Sequence, residues 1–116
     1  MNYLIKNATI VNEGRMFTGF VRTREHYIEA VGEGVPESEA LPGTTVIDAT
    51  GKLLLPGIID DQVHFREPGL THKATIHSET QAAVAGGVTS FMEMPNTQPQ
   101  TISQEDLKQK YQLASE

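Results

Sequence analysis

The chain has 116 residues, the length of one modest domain, and its 38% hydrophobic and 21% charged residues are those of an ordinary globular chain rather than a disordered one. Fifteen Asp and Glu against nine Lys and Arg leave a net charge of −6, so no cationic excess is available to condense onto phosphate, and nucleic acid is not an expected partner. Cysteine is absent, which excludes a disulfide framework, a thiolate metal cluster and a cysteine nucleophile; any metal must be held by nitrogen and oxygen.

The opening MNYLIKNATI has neither the basic start nor the continuous apolar stretch of a signal peptide, and the apolar run Leu53-Leu54-Leu55 stops at Pro56. A soluble, cytoplasmic chain with no membrane partner is the expectation. Residues 1–55 read as a small antiparallel β-module. β-Branched and aromatic clusters fall at 3–5, 9–11, 17–21, 27–31 and 44–47, and breaks fall at Asn12-Glu13-Gly14, Gly32-Glu33-Gly34, Pro42-Gly43 and Thr50-Gly51.

From residue 56 onward the pattern changes to a strand over 58–65, a glycine-bearing loop, a helix over about 73–85, a strand over 88–94, a proline loop and a helix from 104. This β-α-β-α order favours a parallel sheet with right-handed crossovers. Gly86-Gly87 reads as the stop of the first helix and Ser103, three residues before Asp106, as the N-cap of the second. Two strands with helices leave sheet edges that need pairing, so the second half reads as the beginning of something longer.

The segment Asp60-Asp61-Gln62-Val63-His64-Phe65-Arg66-Glu67-Pro68-Gly69 carries the chemistry. Strand alternation would place Asp60, Gln62, His64 and Arg66 on one face and Asp61 and Val63 on the other. A row of carboxylate, amide, imidazole and guanidinium is costly to bury unless a metal, a ligand or water satisfies it. The second strand ends in Met94-Pro95-Asn96-Thr97, bringing a stiffened loop to the same sheet edge, where Asn96 and Arg66 together suit a carboxylate clamp. Residue by residue the blander alternatives stay open: a hydrogen-bonded core histidine at 64, a salt-bridged loop arginine at 66, an ordinary asparagine turn at 96. His26, His72 and His77 read as surface residues, and Met92 and Met94 as packing groups.

The run PGIIDDQVHFREPG, followed by HKATIHSETQAAVAGGVTSFMEMPNTQP, closely resembles the first β-α-β segment of dihydroorotases in the amidohydrolase superfamily. LIKNATIVNEG and ATGKLLLPG resemble that superfamily's N-terminal β-module. The resemblance implies an α/β fold: a β-module over 1–55, part of a composite β-sandwich, then residues 56–116 as the first two β/α units of an incomplete TIM (β/α)8 barrel, a fold that typically takes about 250 residues. It implies zinc-dependent interconversion of dihydroorotate and N-carbamoyl-aspartate in pyrimidine biosynthesis. His64 would be a metal ligand, Arg66 and Asn96 would hold the substrate carboxylate, and Asp60 would orient a ligand from behind. Gln62 stands where the family has the other motif histidine, a weaker zinc donor. Hydantoinases and allantoinases typically lack the REPG and MPNT combination.

The catalytic aspartate and the remaining ligands of one or two zinc ions would come from elsewhere in a complete enzyme, so these 116 residues alone are expected to bind zinc weakly or not at all and to be inactive. The resemblance leaves open a homodimer, an association with aspartate transcarbamoylase, and the second reading of a noncatalytic dihydroorotase-like scaffold.

Overall fold

The computed structural model describes residues 1–36 and 42–115. The chain divides into two compact units, Met1–Pro56 and Gly57–Glu116. In the first, β1 (Asn2–Asn12), β2 (Arg15–Arg24) and β3 (Tyr27–Glu33) form an antiparallel meander. Its first hairpin turns through Glu13-Gly14, both with positive φ, the mirror-image turn whose twist suits flanking strands.

The antiparallel expectation holds only for that meander. Both β4 (Thr44–Asp48) and β5 (Leu53–Leu54) pair in parallel with the opposite edge of β1, β4 along Asn2 to Lys6 and β5 along Thr9 and Ile10. The reason lies in the order β3-β2-β1-β4: after β3 the chain passes to the far side of β1 instead of folding back beside its neighbour. The break expected over Gly32-Glu33-Gly34 is narrowed to its last residue: Gly32 and Glu33 pair with β2, the strand ends at Glu33, and Gly34 turns away with φ of 76°.

The expected clusters at 3–5 and 9–11 are one strand interrupted by an irregularity between Ile5 and Ala8, where Asn7 takes φ of 61°. The Asn7 amide donates to Asp48 Oδ1, which also accepts from the Thr50 hydroxyl and N–H. Those bonds, the Thr50 hydroxyl foremost, hold the Asp48 carboxyl below its usual range. Ala8, Ile10 and Ala49 form the buried centre, packed by Ile5, Phe17, Val21 and Leu54.

The second unit runs β6 (Ile58–Val63), α1 (Ile76–Ala85), β7 (Val88–Glu93) and α2 (Gln104–Ala114), with β6 and β7 parallel. Helix α1 starts three residues later than expected, at a reciprocal capping box between Thr75 and Ser78, and ends at Gly86. His72 therefore lies in the turn before the helix and not at its start. Helix α2 begins at Ser103 through a second reciprocal box with Asp106. Two parallel strands do not by themselves define a barrel. Their apolar side chains are largely uncovered within this chain: Ile59 is 67% exposed and Met92 60%. Among the described residues of this unit, only Phe65 and Ile76 are buried apolar side chains.

Candidate functional site

Strand β6 ends at Val63, and its pairing with β7 is irregular between Asp60 and Val63. The alternation argument for Asp60, Gln62, His64 and Arg66 therefore does not carry through to the last two residues. Asp60 Oδ1 accepts the Gln62 N–H at 3.0 Å, a local bond that competes with the ladder, and Arg66 adopts φ of 70°. What fixes the exit of β6 is a set of contacts with the β7 side. Met94 N–H donates to Val63 C=O at 2.9 Å. Phe65, 5% exposed, lays its ring 4.5 Å from that of Phe91, and its N–H donates to Glu93 Oε1 at 3.2 Å.

With Phe65 anchored inward, the flanking His64 is exposed and Arg66 half-buried. His64 Nδ1 lies 2.9 Å from Asn96 Oδ1. An amide oxygen only accepts, so this bond requires the proton on Nδ1 and leaves the Nε2 lone pair available. It also leaves the Asn96 NH₂ free to donate elsewhere. The Arg66 guanidinium has no ion pair or side-chain hydrogen bond among the described residues. Arg66 is therefore a half-buried cation, unpaired among the described residues, on a backbone held in the left-handed region.

The rest of Arg66-Glu67-Pro68-Gly69 is structural. The Glu67 carboxylate accepts the Ile76 N–H at 2.7 Å, tying the loop to the positive end of α1. Pro68 C=O accepts the Gln98 N–H at 3.0 Å. Gly69, with φ of 82°, lies so close to the Gln98 backbone that any Cβ would overlap its carbonyl. On the opposite loop, buried Thr97 gives its hydroxyl to Pro99 C=O at 2.7 Å and meets the Thr101 hydroxyl at 2.9 Å. The two motif loops are thus stitched together by backbone and side chain within one unit.

Gln62 and Asp61 are exposed, and Asp60 is half-buried. Asp60 orients the backbone of residue 62. His26 and His72 are exposed, and His77 is exposed with Nε2 3.1 Å from Gln81 Nε2. The sequence reading missed Glu93. Its side chain, 10% exposed, pairs with Lys110 of α2, also 10% exposed, and burial pulls the Lys110 ammonium below the usual lysine value. A lone carboxylate within the otherwise apolar stretch Phe91-Met92-Glu93-Met94 was the available signal. Among the described residues no group of three His, Asp or Glu side chains is arranged to hold a metal ion, and no helix is long and apolar enough to cross a membrane.

Residues 51–113, just over half of the chain, match the family described as Dihydro-orotase-like. The chain is 43% identical over 100 residues to the dihydroorotase of Bacillus thuringiensis (strain Al Hakam) and 41% identical over 99 residues to that of Lactobacillus helveticus (strain DPC 4571). Each match covers 85% of this chain and 22% of the relative, so the chain spans under a quarter of the length of these curated relatives. Among solved structures, the L-hydantoinase (dihydropyrimidinase) from Arthrobacter aurescens superposes with a TM-score of 0.85 at 25% identity, over 97% of this chain and 24% of that one. The D-hydantoinase (dihydropyrimidinase) from Thermus sp. gives 0.76 at 32% identity, with the same coverage of each chain. With the REPG and MPNT loops joined as described and more than half of its residues matched, this chain belongs to the dihydroorotase-like family.

Proposed function

We propose that this chain is the N-terminal part of a dihydroorotase, a cyclic amide hydrolase interconverting dihydroorotate and N-carbamoyl-aspartate in pyrimidine biosynthesis, and that β6-α1-β7-α2 are the first two β/α units of its barrel. The observation that carries this reading is the seam between the two motif loops. It brings Asn96 to His64, two residues from Arg66, whose guanidinium has no side-chain partner among the described residues. A guanidinium and an amide NH₂ are both donors, and together they suit a substrate carboxylate. Charge-assisted bonds in a half-buried setting are stronger than neutral ones in water. Holding the carboxylate fixes where the scissile ring amide sits, a contribution of orientation rather than of electronic activation.

The zinc implied by the resemblance does not fit these residues as a complete centre. Catalytic zinc takes three protein ligands, and this site offers one imidazole, His64, whose Nε2 is available, with the neutral amide of Gln62 in the neighbouring motif position. Zinc dependence is accordingly proposed for the complete enzyme, with further ligands supplied by its other segments, and the 116 residues alone are proposed to be inactive. Gln62 in place of a histidine also favours a second reading, a noncatalytic dihydroorotase-like scaffold that associates with another enzyme such as aspartate transcarbamoylase. A cytoplasmic location is part of the same proposal.

A chimera tests the choice. Residues 1–100 of this chain replace the matching stretch of the B. thuringiensis dihydroorotase, and ring opening and closure are assayed with and without a chelator. Zinc-dependent turnover supports the enzyme reading, with none from the 116 residues alone. A folded, inactive chimera that regains activity on Gln62→His would favour the scaffold.

A further inference from the structure

We propose that Glu93 is a positioning residue: seated by Lys110, its carboxylate holds the one backbone N–H that lies between His64 and Arg66. This rests on the functional reading above only in taking those two side chains as the working groups.

The geometry is specific. Glu93 is the last residue of β7, and its two carboxylate oxygens face different elements. Oε1 accepts from Phe65 N–H at 3.2 Å, and Oε2 pairs with Lys110 of α2. Both charged side chains are 10% exposed, so neither has ready access to water as an alternative partner. A buried pair of this kind is weak evidence for stability, because well-packed apolar residues of similar volume often serve as well. Stability alone therefore does not account for the pair, and its bond to the Phe65 N–H gives it a second effect. Strand pairing has become irregular before this point, so the ladder does not set the backbone at 64–66. The Phe65 ring against Phe91 fixes the side chain, and the Glu93 carboxylate fixes the peptide. Together they determine the direction in which His64 and Arg66 leave the chain. Lys110 keeps the carboxylate aimed, which links α2 to the Phe65 N–H across 45 positions of sequence.

Two double variants of nearly equal volume separate positioning from packing. Glu93→Gln/Lys110→Met removes both charges and keeps an oxygen that accepts from Phe65, whereas Glu93→Met/Lys110→Met removes the acceptor as well. In ¹⁵N-labelled 116-residue chain, hydrogen exchange at the Phe65 amide and the ring ¹⁵N shifts of His64 are read alongside global unfolding. N-carbamoyl-L-aspartate is then titrated while the Arg66 signals are followed. The expected result is Phe65 exchange within threefold of wild type in the Gln/Met protein and at least tenfold faster in the Met/Met protein, with the His64 Nδ1–H tautomer signature lost only in the latter. Equal exchange and equal His64 shifts in the two variants would overturn the proposal and leave the pair a packing feature. So would an unprotected Phe65 amide in the wild-type chain, a measurement that needs no variant to fold. Absence of any Arg66 response to N-carbamoyl-L-aspartate in wild type would count against the functional reading alone, since the exchange and tautomer readouts do not depend on it.

Discussion

Gly69→Ala is the substitution that tests the seam between the motif loops. Two costs add there. With φ of 82°, Gly69 sits in the left-handed region, where an L side chain costs about 1–2 kcal/mol. The new Cβ would also stand 2.7 Å from the Gln98 carbonyl carbon and 2.9 Å from the Gln98 Cβ, against an ordinary contact of about 3.5–4.0 Å. The Gln98 carbonyl oxygen would stand closer still, so relief requires the Gln98 backbone to withdraw by more than about 1 Å, which strains the Gln98 N–H to Pro68 C=O bond; overpacking of this kind costs about 1–3 kcal/mol and the bond about 1 kcal/mol. The expected loss is about 3–6 kcal/mol. Gly87→Ala is the control: its φ is 86°, but nothing lies within 4 Å of a built Cβ, so only the backbone penalty of about 1–2 kcal/mol applies. Urea unfolding of both variants, followed through the amides of residues 57–115, gives the two values directly. Agreement between them to within 0.5 kcal/mol would refute the claim that the REPG loop and the MPNTQP loop press on one another.

Three further outcomes are expected. Phe65→Ala removes one of the few buried apolar side chains of the second unit together with its ring contact to Phe91, and should cost about 3 kcal/mol in the same unfolding assay, the low end of the range for a core phenylalanine. Arg66→Ala in the active chimera should raise KM for N-carbamoyl-aspartate by at least tenfold while leaving unfolding nearly unchanged, since the guanidinium has no side-chain partner among the described residues; a normal KM removes the clamp assignment. Asp106 is held below its usual 3.8 by the Ser103 hydroxyl first and the Ser103 N–H second, so the capping box contributes fully above 3.8 and is lost as pH falls through the lower folded value. Ser103→Ala should move the Asp106 titration, read by carboxyl ¹³C shifts, back up toward 3.8, and the amide of Asp106 should lose protection.

What the sequence disclosed and what it withheld divide by range. Local signals were legible: the breaks at Glu13-Gly14 and Gly86-Gly87, the Ser103 cap with Asp106 three residues on, and the change from short strands to β-α-β-α after residue 56. Helix α1 was placed three residues early because His72, Lys73 and Ala74 are compatible with a first turn; the cap is decided by the reciprocal Thr75 and Ser78 bonds and by Glu67 reaching the Ile76 N–H from nine residues away. The parallel seating of β4 and β5 depends on which edge of β1 remains available after β2 has paired, which no local pattern records. At the site, His64, Arg66 and Asn96 were singled out by motif, but strand alternation was the wrong device for placing them because β6 stops at Val63. Glu93 was missed because its partners, Phe65 and Lys110, lie 28 residues before it and 17 after.

Those misses share a physical cause that bears on how the site works. A strand positions side chains by its period, and a substitution on one strand residue leaves the next in place. Beyond Val63 that insurance is gone, and the directions of His64 and Arg66 follow from anchors outside the strand: Phe65 on Phe91, the Phe65 N–H on Glu93, Pro68 on Gln98, and Gly69 against the Gln98 backbone. Each anchor reaches the β7 side of the unit, so the two loops form one mechanical element although nearly 30 residues separate them. On the proposal above, the directions of His64 and Arg66 depend on residues that touch neither, Lys110 among them, whereas exposed strand residues such as Ile59 and Met92 make none of these anchoring contacts. The carboxylate clamp proposed above would then rest on two joined loops rather than on one, which narrows the directions open to Arg66 and Asn96.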